Sequence, residues 1–228
     1  MENRNGQGIF YGVIGVATLV VAIIGATFAY FNATATTNYV NNIAGNTLDI
    51  SSNALSISVT KLTFTGANAP VGLVPATIAN TSGTPTLAGI NQALNAKCEK
   101  GGYTGCHVYK IQASSTTNIA EAEINLKTLT TTNTKNKSDW KYVIYKGTDS
   151  AASSIVTTGS MDLASAYNMH ATDKTLSSTP VIYYLMIYVA EDSGVQNDSG
   201  ANDATGSYTG TVELTAAGNG GVTANFTA

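Results

Sequence analysis

The chain has 228 residues, of which 43% are hydrophobic and only 11% are charged, and its formal net charge is −3. No basic run is present, so the chain lacks the electrostatic footprint of nucleic-acid binding, and we expect no nucleic-acid partner. Thr, Ser, Asn and Gly supply most of the polar residues. That composition suits an extracellular β protein better than a cytosolic enzyme.

The chain begins with a long apolar run, from Ile9 to Phe31, that carries no charged side chain. A helix of roughly 20 apolar residues can cross a hydrocarbon core of about 30 Å. The run also resembles an export signal, because a polar stretch with Arg4 precedes it and small residues follow near Ala29. We therefore expect residues 1–31 to form a hydrophobic helix that is a signal, a membrane anchor or the core of a fibre.

Small residues recur along this predicted helix, and they would allow close packing against a second helix in a membrane or a fibre. We expect the packing positions to be Gly12, Gly15, Ala22 and Gly25. Residues 32–46 follow without a charge and are typical of a linker or of an extended segment. The remaining residues, 47–228, are enough for one sizeable β domain.

This domain shows the periodicity of strands. Apolar residues alternate with polar ones through Leu55, Ile57 and Val59 and again through Ile124 and Leu126, which is typical of half-buried strands. The stretch TPVIYYLMIYVAED is nearly all apolar and predicts a central strand buried on both faces. WKYVIYKG and SSIVTTG predict a hairpin, and GSYTGTVELTAAG and GVTANFTA predict the last two strands.

Two stretches break the strand pattern. Leu87, Ile90 and Leu94 have helical spacing and predict a short helix that ends at Gly101. The stretch MDLASAYNMHATDKT predicts a second short helix or an irregular loop, and residues 66–85 predict a loop with one edge strand around 74–79. The whole pattern predicts a mainly β fold, a jelly-roll-like β-sandwich with an N-terminal hydrophobic helix.

The two cysteines lie close together in the stretch CEKGGYTGC. Its glycines allow a sharp turn, so a disulfide between Cys98 and Cys106 is sterically easy, and an exported location permits it. The alternatives are a pair of free buried thiols or a metal site that also uses His107. The metal site lacks an evident fourth ligand.

No recognised catalytic motif is present, and we expect no enzymatic activity. His107 follows a cysteine at the start of a predicted strand, and His170 lies in a polar stretch. We expect surface or strand-capping roles for both. Asp192, Asp198 and Asp203 offer oxygen ligands on a glycine-rich loop, but their spacing is not that of an EF-hand. We therefore expect a solvated loop with weak Ca²⁺ binding at most, and no other cofactor.

The stretch IIGATFAYFNATATTNYV and the later NTLDISSNALSISV resemble the start of the TasA and camelysin family of exported bacterial matrix proteins, which carry a SipW-type signal. The matching residues are Gly25 to Phe31 and, about fifteen residues on, Gly45 to Ile50. GSYTGTVELTAAG resembles the family's last strand. Camelysin has been regarded as a protease, yet this chain shows no metal-ligating constellation for that activity.

The resemblance implies a jelly-roll subunit of an extracellular fibre, in which an N-terminal segment of one copy pairs with a sheet of the next. Main-chain hydrogen bonds would then satisfy an edge that is otherwise exposed. The stretch YFNATATTNYVNN fits such a donor because it is uncharged and alternates in places. We expect Tyr30, Phe31, Tyr39 and Val40 to take part in assembly, although a flexible linker remains the alternative for 32–46.

A second filament family is also similar. Gly8 stands directly before the apolar run. In type IV pilin-like and archaeal flagellin-like precursors, the last residue before the cleavage site has the same position. In those filaments the helices bundle in the core and a β domain faces outward. Val13 departs from the pattern, because bacterial pilins usually have Glu at that position.

The sequence thus predicts a structural subunit of a cell-surface or biofilm-matrix filament, exported through the membrane. Its partners would be copies of itself and, during export or anchoring, the membrane. The alternative is a membrane-anchored monomeric adhesin or a ligand-binding β-sandwich module. A micrograph separates the two hypotheses, since filaments and monomers look different.

Overall fold

The computed structural model describes residues 16, 18, 48–52, 55–64, 73–76, 78, 84–132, 137–191, 207–216 and 221–228. The chain divides into two compact units, Met1–Thr37 and Asn38–Ala228. This boundary falls inside the segment 32–46 that the sequence predicts as a linker or donor.

In the first unit, Val16 and Thr18 are described, and both have helical backbone. The four predicted packing positions, Gly12, Gly15, Ala22 and Gly25, lie outside the described residues, as does most of the predicted helix. Within the part of the chain that the structure describes, no helix has the length and apolarity needed to span a bilayer.

The second unit is mainly β, and antiparallel pairing predominates in its sheets. Its strands, in chain order, are β1 (Leu48–Ser52), β2 (Leu55–Lys61), β3 (Pro75–Ala76), β4 (Glu99–Lys100), β5 (Tyr103–Thr104), β6 (His107–Ser115), β7 (Ala122–Thr131), β8 (Trp140–Thr148), β9 (Ala151–Ser160), β10 (Tyr167–Asn168), β11 (Val181–Ala190), β12 (Tyr208–Ala216) and β13 (Gly221–Thr227). One α-helix, α1, covers Leu87–Asn95, and one 3₁₀ turn covers Lys137–Asp139.

Two principal sheets form from these strands. The larger sheet has the order β1-β2-β6-β11-β8-β9, and β3 adds a parallel pairing with the end of β11. The smaller sheet has the order β10-β7-β12-β13, while β4 and β5 form a separate hairpin. The chain crosses between the two sheets after β6, β7, β9, β10 and β11, so neighbouring strands are often distant in sequence.

The main hydrophobic core lies between the two sheets. Alternate residues of β2, namely Leu55, Ile57 and Val59, are buried there, and Ile124 and Leu126 of β7 meet them from the smaller sheet. Each such side chain stabilises the fold by about 1.5–3 kcal/mol when it is fully buried. The two sheets therefore pack face to face as a sandwich, and the predicted alternation of these strands is confirmed.

A second hydrophobic cluster covers the outer face of the larger sheet. There Tyr184, Met186 and Tyr188 of β11 pack with Ile90 and Leu94 of α1. The odd-numbered residues of β11 from Tyr183 to Val189 face the main core instead. The nearly continuous apolar run of β11 follows from this position, because a central strand under a helix is buried on both faces. The prediction for this strand is confirmed.

Helix α1 begins at a regular cap, because the Oγ1 of Thr86 accepts a hydrogen bond from the backbone N–H of Gly89 at 3.1 Å. It ends at Asn95, so the expectation that it continues to Gly101 was wrong. Lys97 and Cys98 have φ angles of 54° and 53°, which turn the chain away from the helix and toward β4. A short helix with Ile90 and Leu94 buried is confirmed.

The other predicted elements mostly appear where expected. β8 and β9 form the expected hairpin, and β12 and β13 form the last one. The stretch MDLASAYNMHATDKT is an irregular loop with the two-residue strand β10, and β3 is the strand expected near 74–79. In β7 the alternation shifts beside Thr128, because a bulge interrupts the register opposite Thr211 and Val212.

Candidate assembly surface

The edges of the two sheets are the candidate assembly surface. A strand at a sheet edge exposes backbone N–H and C=O groups that can pair with another chain, unless side chains or loops protect them. The edge strands are β1 and β9 in the larger sheet and β10 and β13 in the smaller one. Each edge is protected to a different degree.

An irregular loop, residues 161–176, protects the β7 side of the smaller sheet. The backbone N–H groups of Leu163 and Met169 donate to Leu129 and Ile124 of β7 at 3.0 and 2.8 Å. At the start of β7, Ala122 N–H donates to the carbonyl of Lys174 at 2.8 Å. The loop thus occupies the groups that a partner strand would need.

His170 anchors this loop from inside the protein. Its side chain is 1% exposed, which corrects the expected surface or capping role. Nε2 lies 2.9 Å from the carbonyl oxygen of Thr175, and because a carbonyl only accepts, Nε2–H is the donor. In the neutral ring Nδ1 then accepts from the Tyr183 hydroxyl at 2.9 Å. Burial, with Asp173 and Tyr167 nearby, raises the pKa of Tyr183 to about 12.

The β13 edge lies on the side of the sandwich where β13 packs against β1 and β2 of the larger sheet. The residue after β13 is bonded to β12, because Ala228 N–H donates to the Tyr208 carbonyl at 3.1 Å. These contacts bring the β1 and β13 edges to the same side of the molecule. The β9 edge is at the opposite end of the larger sheet.

The β9 edge is uncharged and contains no proline, so it lacks the residues that usually discourage pairing. Its first half is partly covered. The amide of Asn91 accepts from Ala152 N–H at 2.7 Å and donates to the Ala152 carbonyl at 3.1 Å, as a neighbouring strand would. Farther along, the Tyr167 hydroxyl lies 3.4 Å from the carbonyl of Val156.

The second half of β9, Thr157–Ser160, is regular, and it is called the open half here because no described strand pairs with its outer edge. These four residues pair one to one with β8, after two register shifts nearer the hairpin turn. Among the described residues, no other strand pairs with their outer side. The Nζ of Lys141 donates to the Ser160 hydroxyl at 2.8 Å, and this contact uses no backbone group of the edge.

A groove of about 480 Å³ adjoins this half of β9 on the outer face of the larger sheet. Thr158, Gly159 and Ser160 form one wall, and Thr84 and Pro85 are among the other lining residues. Asp139, Lys141 and Glu191 place charges at the groove. Tyr188 also lines it, and this side chain is fully buried and has no hydrogen-bond partner for its hydroxyl within the described structure.

A chain of hydrogen bonds joins the two sheets near the start of β6. The Tyr109 hydroxyl donates to the Thr227 carbonyl at 2.7 Å, so the Tyr208 hydroxyl donates to Tyr109 at 2.7 Å. His107 Nδ1 then donates to Tyr208 at 2.6 Å. Burial, and next the charge of Lys61, lower the pKa of His107 to about 3. His107 is 6% exposed, so it begins a strand as expected but is not at the surface.

The disulfide-forming pair lies at the C-terminal side of α1. Cys98 and Cys106 are joined in the structure, with their Cα atoms 5.0 Å apart, and both are buried in the cluster beneath α1. The sulfur atoms are therefore not arranged around a metal with His107, which corrects that alternative. Among the described residues, no group of three or more His, Cys, Asp or Glu side chains is placed to hold a metal ion.

Several residues singled out from the sequence lie outside the described residues. They include the predicted assembly residues Tyr30, Phe31, Tyr39 and Val40 and the candidate calcium ligands Asp192, Asp198 and Asp203. Conversely, the sequence reasoning missed Asn91 and the open half of β9. A ten-residue strand without charge or proline was the available signal, but its edge position depends on pairings distant in sequence.

Comparison of the chain with family models, with curated proteins and with solved structures gave no match. The resemblance to TasA and camelysin therefore remains a prediction from short motifs.

Proposed function

We propose that this protein is the structural subunit of an extracellular filament, at a cell surface or in a biofilm matrix. Its copies join through the N-terminal region, either as a donor strand or as a packed helix. Its role is structural and needs no catalytic centre or cofactor. The observation that carries the proposal is the open half of β9, Thr157–Ser160, a sheet edge without charge or proline.

Cover of neighbouring parts of the sheet edges distinguishes Thr157–Ser160 from them. The loop 161–176 occupies the β7 side of the smaller sheet, and Asn91 occupies the first half of β9. An exposed edge without charge or proline invites pairing with another chain. In a subunit that polymerises, such an edge has a partner, whereas in a monomer it is an aggregation hazard.

The N-terminal composition supports the same function. The run from Ile9 to Phe31 has no charge, and such a segment leaves water by insertion into lipid, removal or burial among its copies. The segment 32–46 is also uncharged and suits strand addition. We propose that the run from Ile9 to Phe31 forms an N-terminal helix. We also propose a jelly-roll-like connection of the strands in the sandwich, which the chain crossings between the two sheets support.

The test is the state of the purified native protein, by negative-stain electron micrographs and sedimentation velocity. We expect uniform filaments that sediment far faster than a 23.5 kDa monomer. Monomers under all conditions, with the helix held in detergent, would instead support the membrane-anchored adhesin or ligand-binding module. Amorphous aggregates in place of uniform filaments would also contradict the proposal.

A further inference from the structure

The groove on the outer face of the larger sheet spans three neighbouring strands. Tyr188 of β11, Lys141 of β8 and Ser160 of β9 lie directly opposite one another in register, so their side chains share that face. Two strand spacings, or roughly 9–10 Å, separate the outer two of these residues. The groove has a volume of about 480 Å³, which is within the range of small-molecule sites.

One part of the groove offers hydrogen-bond donors that suit a carboxylate. The Nζ of Lys141 donates to the Ser160 hydroxyl at 2.8 Å, and Lys141 forms no ion pair with a described acid. Because this hydroxyl accepts from Lys141, its own proton remains to be donated. The hydroxyl of Thr158 lies two residues away on the same face. An ammonium and a hydroxyl in contact can bind a carboxylate through charge-assisted hydrogen bonds.

Asp139 supplies the opposite charge. It ends the 3₁₀ turn before β8 and is half-buried, and its carboxylate accepts a hydrogen bond from the Ser138 hydroxyl at 3.3 Å. Among the described residues it has no ion-pair partner. Glu191, the other acid that lines the groove, is already paired with Lys100 at 2.6 Å. The groove is therefore left with one acid and one base that are not ion-paired.

Tyr188 lies at the inner end of the groove. Its side chain is fully buried, and its hydroxyl has no hydrogen-bond partner among the described residues, which is costly for a buried polar group. A polar group of a ligand in the groove would supply the missing partner. This hydroxyl is an indication of a ligand that is independent of the two charges.

We propose that the groove binds a small zwitterion of the amino-acid class. The ligand's ammonium lies at Asp139, its carboxylate at Lys141 and Ser160, and a polar side chain is directed toward Tyr188. Because Glu191 is paired, the remaining charges suit a ligand that carries one charge of each sign. These contacts use side chains on the face of the sheet and no backbone group of the β9 edge, so the site is independent of the proposed filament function.

The first arm of the test measures binding of labelled L-glutamine to the full-length protein by equilibrium dialysis, which works for monomers and filaments alike. Glutamine has both charges and a side-chain amide. We expect a Kd of about 0.1 mM or tighter. Competition with N-acetyl-L-glutamine, which lacks the ammonium, and with L-glutaminamide, which lacks the carboxylate, should be at least about tenfold weaker.

Two results of this arm would overturn the proposal. If neither glutamine nor any other polar amino acid binds, the groove is not a site for this class of ligand. If a neutral disaccharide binds and the amino acids do not, the groove is a ligand site but the zwitterion is the wrong ligand.

The second arm assigns each charge with a matched variant. Asp139→Asn should remove the preference for glutamine over its N-acetyl derivative, and Lys141→Gln should remove the preference over glutaminamide, because each variant loses the partner of one ligand charge. The control is Lys127→Gln, which changes an exposed ion pair on the smaller sheet and should bind glutamine as the wild type does. Thermal melts verify that the variants are folded. Wild-type preferences in Asp139→Asn and Lys141→Gln would overturn the assignment of the charges.

Tyr188→Phe tests the inner end of the groove. It removes a buried hydroxyl without a described partner, so we expect the variant to fold. Glutamine should bind about tenfold more weakly, whereas L-norvaline, which has no polar side-chain group, should bind as before. Equal effects on the two ligands would overturn the contact with Tyr188. A protein that forms filaments and binds no amino acid refutes the site alone, and one that binds glutamine and never assembles refutes the filament function alone.

Discussion

At the scale of single residues, the hydrogen-bond chain from His107 through Tyr208 and Tyr109 to Thr227 links the larger sheet to the smaller one. This order needs a proton on Nδ1 of His107, which the neutral ring carries in one tautomer and the charged ring always carries. A second proton on the ring would lie in a buried site near Lys61. Burial and the charge of Lys61, and not the order of the hydrogen bonds, therefore oppose protonation of His107.

We expect His107 to make the folded state less stable as pH falls. Its pKa is about 3 in the folded protein and about 6.5 when unfolded, so the unfolded state binds the proton first. The stabilisation is fully present above pH 6.5 and is lost toward pH 3, by at most about 1.4 kcal/mol per pH unit. Urea unfolding at pH 7.0, 6.0 and 5.0 measures it.

The matched variant for this prediction is His107→Asn, which removes the titrating ring and keeps a polar group near Tyr208. Carboxylates also titrate at low pH, so the informative quantity is the difference in pH slope between the two proteins. Equal slopes from pH 7.0 to 5.0 would show that His107 does not carry the effect.

At the scale of elements, Asn91 connects helix α1 to the edge of β9. Its amide satisfies both backbone groups of Ala152, and the exposed Asn95 on the same helix provides a control position. We expect Asn91→Ala to lower the free energy of unfolding by about 1–3 kcal/mol, because a part-buried N–H and C=O lose their partners. Asn95→Ala should change it little. Thermal melts that are equal for the two variants would contradict this role.

The loop between α1 and β6 is closed by the pair Cys98 and Cys106, which are eight positions apart. We expect intact mass spectrometry of the denatured, unreduced protein to show no alkylation, and reduction to add two alkyl groups. Loss of the bond should cost about 2–3 kcal/mol in the chain-entropy model. Two alkylated thiols without a reductant would disprove the bond.

The strands and the short helix could be predicted because their signals are local. Leu55, Ile57 and Val59 alternate, and Ile90 and Leu94 are four positions apart, so each pattern identifies the buried face by itself. The burial of His107 and His170 could not be predicted, since their partners Tyr208 and Tyr183 are 101 and 13 residues away. The open edge at Thr157–Ser160 depends in the same way on the long-range order β11-β8-β9.

At the scale of the whole molecule, the described surface offers little else that could hold copies together. Its ion pairs among the described residues are Lys100–Glu191, Lys110–Asp149, Lys127–Glu213 and Lys174–Glu121, and each has at least one exposed partner. Exposed pairs of this kind stabilise a protein by about 0–1 kcal/mol and are screened by salt. If assembly uses backbone pairing and apolar burial instead, filaments should persist in 0.5 M NaCl.

We expect assembly to require the N-terminal region. Two variants distinguish a donor strand from a packed helix. If the signal is removed near Ala29, deletion of residues 30–42 takes away the donor strand and should leave soluble monomers with an unchanged thermal melt. If the helix is retained, Gly15→Leu with Ala22→Leu should enlarge the packing face and weaken the filament. Electron micrographs and sedimentation measure both.

The decisive protein begins at Thr47, because it lacks both the apolar run and the segment 32–46 while keeping every described strand. If its chains still formed filaments of native diameter, the contacts would have to lie within the sandwich, and neither the donor strand nor the packed helix would be needed. We expect monomers instead, since neither the donor strand nor the packed helix would be present to join the copies.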